Sequence, residues 1–230
     1  MRIVSFNTQH CLNFLEQKID YEIMARAINE LEADVVGLQE MFGDAEGARF
    51  GEQTEILART AGFEHYYFAK AIDDACGPYG NAIISKIPIK SAETILIPDP
   101  FPKREGGWYE TRCVLKAVLE NGLTVLVTHF GLEPDEQSNA QSTVLSLIEE
   151  QNCVLLGDFN IEPSNPLLEP IRAKLRDTAE LFEKPRLSFP SPKPTIKIDY
   201  AFASRDLSVT YADIPEIVAS DHRPYVIELK

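Results

Sequence analysis

Residues 153–160 read Cys-Val-Leu-Leu-Gly-Asp-Phe-Asn. The apolar run Cys153–Leu156 is too short for a helix and stops at Gly157, which predicts a buried strand. That strand hands the chain on to a carboxylate, Asp158, and a carboxamide, Asn160. The same device recurs on both sides of it. Arg2–Phe6 is a short apolar strand ending at Asn7, and Asp34–Gln39 is another ending at Glu40. The run Leu123–Phe130 carries His129 at its end and pairs with Arg112–Leu119 across Glu120-Asn121-Gly122, a hairpin turn signal. Further on, Ile198 precedes Asp199, and Ser220 precedes Asp221 and His222. Strand ends gathered on one rim of a sheet bring such residues into one small pocket.

Helical periods separate these strands. Asp20 is placed to cap a helix reaching Leu31, with Ile23, Met24, Ala27, Ile28 and Leu31 on one face. A weaker helix is expected over Gln53–Ala61, an amphipathic one over Asp135–Glu150, and a short one around Pro166–Leu175. Glu64–Ala69, Ala82–Lys86, Ala92–Ile97, Ile198–Ala203, Leu207–Tyr211 and Tyr225–Leu229 read as strands. No linker, repeat or charge block divides the series. The mixture of strand–helix–strand units and hairpins predicts one α/β domain over residues 1–230, with two packed sheets and helices outside.

The chain has 230 residues, 44% of them hydrophobic and 25% charged, which excludes a disordered or collagen-like polymer. Its net charge of −14, from 22 basic and 36 acidic side chains, argues against tight non-specific coating of DNA. It leaves room for an enzyme that offsets phosphate charge with a metal at one site. The cysteines at 11, 76, 113 and 153 form no CxxC pair, and their sparse use fits a reducing compartment. With no signal peptide and no apolar run of membrane-spanning length, a cytoplasmic protein is expected. No obligate protein partner is evident.

The chemistry of the strand-end residues is consistent. Carboxylates with a carboxamide are hard oxygen ligands suited to Mg²⁺ or Mn²⁺, and histidines beside carboxylates suit proton transfer and charge stabilisation at phosphorus. Arg112, at the start of a strand leading to the same rim, fits a phosphate contact, and Tyr79 and Asn81 fit the pocket lining.

The segments SFNTQH, DVVGLQE, GPYGNAIISKIPI, ETRC, VTHFGL, LLGDFN, IDYAFAS and SDHRPYVIEL run in order from Ser5 to Leu229. Together they resemble the endonuclease/exonuclease/phosphatase superfamily. That resemblance implies a four-layer α/β/β/α sandwich of two mixed, mainly antiparallel sheets, and metal-dependent hydrolysis of phosphate esters. Carried over residue by residue, it makes Glu40, Asn7 and Asp221 ligands of Mg²⁺ or Mn²⁺. It pairs His222 with Asp199, and gives Asp158 and Asn160 the positioning or activation of the attacking water. Whether Asp158 or His222 takes the water proton stays open. His129 would donate to a phosphate oxygen or to the leaving group. Some relatives pair that histidine with a glutamate, but Gly77–Ser85 contains none, so Asn81 is the expected neutral partner.

Three variable stretches are expected to select the substrate: Met41–Gly51, Pro98–Glu110 with Lys103, Arg104, Trp108 and Tyr109, and Lys184–Lys197. The last carries Lys184, Arg186, Lys193 and Lys197 and no acid, and reads as a cationic collar for an anionic substrate. The compact chain favours a small, single-stranded or lipid-like phosphate ester; the alternative is an endo- or exonuclease acting on DNA.

Overall fold

The computed structural model describes residues 1–230. In chain order the main strands are β1 (Arg2–Asn7), β2 (Val35–Phe42), β3 (His65–Asp74), β4 (Gly77–Ser85), β5 (Ile89–Leu96), β6 (Cys113–Leu119), β7 (Thr124–His129), β8 (Cys153–Asp158), β9 (Asp199–Ala203), β10 (Val209–Asp213) and β11 (Tyr225–Leu229). The α-helices are α1 (Tyr21–Glu30), α2 (Gln53–Ala61), α3 (Pro134–Leu147) and α4 (Glu169–Lys174). One sheet has the order β10-β11-β1-β2-β4-β3. The other runs from the short strand Arg176–Asp177 through β9-β8-β7-β6-β5.

The two sheets share a plan. Each is built on one parallel pair, β1 with β2 and β8 with β7, flanked by antiparallel neighbours. A parallel pair lets two successive strands end on the same edge, which is what brings Asn7 alongside Gln39 and Asp158 alongside His129 in register. Asp158 is also in register with Asp199 of the antiparallel β9.

Three apolar clusters set the layers. One, including Ile3, Val35, Val127, Leu156 and Ile227, draws only on the sheets and their connections and lies between them. A second joins the other face of the first sheet to α1 and α2 through Met24, Ile28, Leu57 and Leu38. A third joins the second sheet to α3 and α4 through Val144, Ile171, Leu126 and Leu155. Helices therefore cover the outer face of each sheet, in the α/β/β/α order. Gly37 is needed at the sheet interface, because a Cβ there would stand 2.8 Å from Val127 Cγ2.

Local signals hold closely. Asp20 caps α1 by accepting from Ile23 N at 3.1 Å. The β6–β7 turn has Gly122 at φ +85°, the left-handed region glycine tolerates. The third helix begins at Pro134, with Glu133 and Glu136 forming a capping box, and ends at Leu147. The strand expected over Leu207–Tyr211 lies over Val209–Asp213, because Ser204–Leu207 forms a turn first. All four cysteines are free, and Cys11, Cys113 and Cys153 are buried. No helix is long and apolar enough to cross a membrane.

Candidate active site

Asp158 is the hub. It ends β8, and the residue is 1% exposed. Its Oδ2 accepts from Asn7 Nδ2 at 3.1 Å and lies 3.5 Å from both His129 Nε2 and His222 Nε2. Its Oδ1 accepts from the backbone N of Asn160 at 2.9 Å, an Asx turn that sets Asn160 at φ +51°. The Asn7–Asp158 bond ties the edges of the two sheets together.

Glu40 reaches this point through an irregularity. Val36 and Leu38 face the helix side of β2, and regular alternation would send Glu40 the same way. The pairing with β4 instead slips between Leu38 and Met41, so Gln39 and Glu40 together oppose Asn81. Met41 then takes the helix-facing place, and Glu40, at φ +60°, turns to the rim. There Glu40 Oε1 accepts from Asn7 Nδ2 at 3.0 Å. Such a strained, bulged residue at a strand end is the kind of backbone that functional sites retain.

Two histidines flank the hub with different partners. His222 Nδ1 meets Asp199 Oδ2 at 2.9 Å, and its ring lies against Phe189, centroids 4.8 Å apart. Burial opposes charge on this imidazole, but Asp199 and Asp158 outweigh it and push it up to about 10. Asp158 is raised to about 7 by burial, with His222 pulling the other way. Burial also raises Glu40, more than the Asn7 bond lowers it. His129 goes well below its ordinary value because it is buried and faces the Arg112 and His222 charges.

The partner of His129 is not Asn81. Asn81 Nδ2 donates to Cys113 O at 2.9 Å, from one sheet to the other, whereas Arg112 Nη1 lies 2.9 Å from His129 Nδ1. An arginine can only donate, so His129 Nδ1 must accept, and Nε2 carries the proton in the neutral ring. Asn160 Nδ2 donates to Phe130 O at 3.0 Å and also stands 3.1 Å from His129 Nε2, where two donors meet, so the acceptor facing the Nε2–H is Asp158 Oδ2 at 3.5 Å. Glu110, not singled out from the sequence, holds Arg112 Nη1 at 2.9 Å. Its place two residues before Arg112 in an extended segment, where alternate side chains share a face, was the available signal. Tyr79 lines the same hollow as Arg112, Asn81 and His129. Asp221 sits at the edge, held by Ser220 Oγ at 3.0 Å, and its charge is felt by Glu40.

The expected cationic collar is divided. Arg186 Nη2 donates to Asp213 at 3.1 Å, and Lys197 is buried with its Nζ 3.2 Å from the Tyr200 ring centroid, leaving Lys184 and Lys193 exposed. The loop Pro98–Glu110 is drawn onto the start of α3. Arg104 pairs with Glu133, and Tyr109 OH donates to Asp135 at 2.9 Å, while Trp108 remains exposed.

The donor set fits a divalent cation. Asp158, Asp199 and His222 offer ligand atoms within 4.8 Å of one another, and Asp199 Oδ1 is buried without a hydrogen-bond partner. Half-buried Glu40 and buried Asp158 are two carboxylates sharing one amide donor, which leaves negative charge for a hard ion to neutralise. The amide nitrogen of Asn7, rather than its oxygen, faces them; the oxygen accepts from Gln9 N at 3.0 Å.

The family model for the endonuclease/exonuclease/phosphatase family matches residues 4–222. The chain belongs to this family. It is similar to an endonuclease/exonuclease/phosphatase from Beutenbergia cavernae at 24% identity and a TM-score of 0.77, covering 100% of this chain and 71% of that one. A mannosyl-6-phosphatase from Bacteroides thetaiotaomicron is 17% identical with a TM-score of 0.71, covering 100% and 99%. The catalytic domain of human Nocturnin, solved with a bound sulfate anion, is 18% identical with a TM-score of 0.73, covering 100% and 94%. No curated protein matches the chain in sequence.

Proposed function

We propose that this chain is a Mg²⁺- or Mn²⁺-dependent hydrolase that cleaves a phosphomonoester or phosphodiester with an activated water. The carrying observation is the convergence of two imidazoles and a carboxamide on the single oxygen Asp158 Oδ2. That is a site for holding a water and a phosphate side by side in a desolvated pocket. Glu40 and Asp221 would hold the ion, and the Asn7 carboxamide would join them by turning its oxygen from Gln9 N to the ion. When bound, it offsets the negative charge that develops on the phosphate.

The remaining work falls to this chain's own side chains. Asp158 and Asn160 orient the water. The Asp199–His222 pair fixes the imidazole with Nδ1 on the carboxylate and Nε2 toward the hub, the ordering found in catalytic triads. With Nδ1 taken up by Arg112, His129 presents a neutral Nε2–H donor to a phosphate oxygen. Arg112, steadied by Glu110, supplies a fixed positive charge beside it. Residues 1–230 act as one domain, since both sheets contribute to the site.

The acidic chain and the divided cations of Lys184–Lys197 support a small, single-stranded or lipid-like substrate rather than a DNA duplex. A panel of nucleotides, sugar phosphates, phospholipids, oligonucleotides and bis(p-nitrophenyl) phosphate, assayed with Mg²⁺ and Mn²⁺, tests the reading. Turnover that EDTA abolishes and added metal restores is expected. No turnover of any member, or turnover indifferent to EDTA, contradicts it.

A further inference from the structure

Beside the carboxylates runs a band of rings. His10 lies 5.6 Å from Phe50 and 5.9 Å from Phe42, centroid to centroid; Phe42 lies 5.0 Å from Phe50 and 5.0 Å from Tyr79. The band is joined to the site at both ends. His10 N donates to Glu40 O at 2.9 Å, and Tyr79 borders the same hollow as Arg112 and His129. Phe42 is buried beneath, while His10, Phe50 and Tyr79 each keep a partly exposed face. The imidazole of His10 forms no side-chain hydrogen bond.

This arrangement is held against the backbone's preference. Gln9, His10 and Cys11 have φ of +46°, +48° and +60°, three successive residues in the left-handed region. Non-glycine residues adopt it singly and at a cost. The buried Gln53 clamps the run, donating from Nε2 to His10 O at 2.8 Å and accepting at Oε1 from Phe42 N at 3.0 Å. Fully buried Gln53 thus fixes the backbone under both His10 and Phe42, so the rings are presented in a set position. A plain core cluster needs no such clamp and leaves no open ring faces.

We infer that His10, Phe50 and Tyr79, backed by Phe42, form a stacking shelf for a nucleobase carried by the phosphate ester. The inference rests on the hydrolase reading above and names its substrate class. Planar ligands stack on such rings whatever their sequence identity. A carbohydrate would need several hydrogen-bonding side chains for its hydroxyls, and the shelf offers only the His10 imidazole and the Tyr79 hydroxyl, which already faces Arg112. The Arg49 guanidinium lies over the Phe50 ring, 5.1 Å from its centroid, and brings a positive charge suited to an anionic nucleotide.

The test uses two matched pairs differing only by a base: adenosine 5′-monophosphate against ribose 5-phosphate, and the dinucleotide ApA against its analogue lacking one base. The ratio of kcat/KM within a pair is read with the metal-loaded enzyme. Wild type should favour the base-bearing member by about tenfold or more, the scale of one stacked base. Phe50→Leu and His10→Ala should bring the ratio near one, and Phe50→Tyr should keep it. Phe50→Leu retains apolar bulk, and its thermal midpoint controls for folding. A wild-type ratio near one, or a ratio unchanged in both Phe50→Leu and His10→Ala, overturns the shelf. If bis(p-nitrophenyl) phosphate is cleaved but neither pair is, the shelf fails while the hydrolase reading stands. If no phosphoester is cleaved, the hydrolase reading fails. Equilibrium binding of adenosine monophosphate against ribose 5-phosphate then judges the shelf alone: a tenfold preference lost in Phe50→Leu supports it, and equal binding overturns it.

Discussion

Asp158→Asn in the metal-free protein makes a quantitative demand on this site. Burial holds the Asp158 carboxyl at about 7 in the folded chain, against an ordinary value of 3.8. The folded state therefore binds the proton more tightly than the unfolded one. The associated stability is fully present below pH ~4 and is lost as pH rises to about 7, since at higher pH the folded chain carries a desolvated anion. Three units at 1.36 kcal/mol each amount to about 4 kcal/mol, with the attraction of His222 already included. Asparagine removes the titration and gives up one hydrogen bond, such as that from Asn160 N, worth about 1 kcal/mol. With EDTA present, urea unfolding should find the two proteins within about 1 kcal/mol at pH 5 and the variant ahead by about 3 kcal/mol at pH 8. Saturating Mg²⁺ should reverse the order at pH 8 by stabilising the wild type. Parallel stabilities at both pH values would show that the carboxylate is not held in a desolvated, under-neutralised site.

Arg112→Met should lower kcat by about 10- to 100-fold, because it removes a charge-assisted bond to His129 and leaves Glu110 unpaired; steady-state rates on bis(p-nitrophenyl) phosphate check it, and an unchanged kcat contradicts it. In Asp199→Asn the His222 imidazole should lose its main support and titrate well below about 10, read by NMR; a wild-type titration would mean the short Asp199 contact does not hold the ring charged. Gly37→Ala should cost about 1–3 kcal/mol in urea unfolding by pressing a methyl into Val127 and Leu156; no loss would mean the two sheets are not packed face to face there.

Much of this site was legible in the chain. Asn7, His129 and Asp158 each end a short apolar strand and Glu40 lies near the end of another, and parallel pairing places such ends on one edge; Asp199 opens β9 opposite Asp158, and His222 lies in the loop before β11. Two features were less visible. The slip in β2 is written as a spacing of three between Leu38 and Met41 where two is regular, but one displaced apolar residue is a faint mark. The partner of His129 depends on which rotamer a long arginine adopts across a hairpin, and no local period encodes that. The positive segment Lys184–Lys197 misleads for a related reason. Charge counted along the chain cannot show that Arg186 finds Asp213 or that Lys197 folds inward onto Tyr200. The ring band escaped because its members lie at positions 10, 42, 50 and 79, brought together only by the β2–β4 pairing and the Gln53 clamp.

Glu40, delivered to the rim by the β2 bulge, is the proposed metal ligand on which hydrolysis would depend. Initial rates of bis(p-nitrophenyl) phosphate hydrolysis by Glu40→Gln, measured across a Mg²⁺ titration beside the wild type, address it most directly. The expected result is a loss of at least ~100-fold in kcat with a higher metal requirement, in a protein whose thermal midpoint without metal is not lowered. Wild-type turnover with wild-type metal dependence would contradict it.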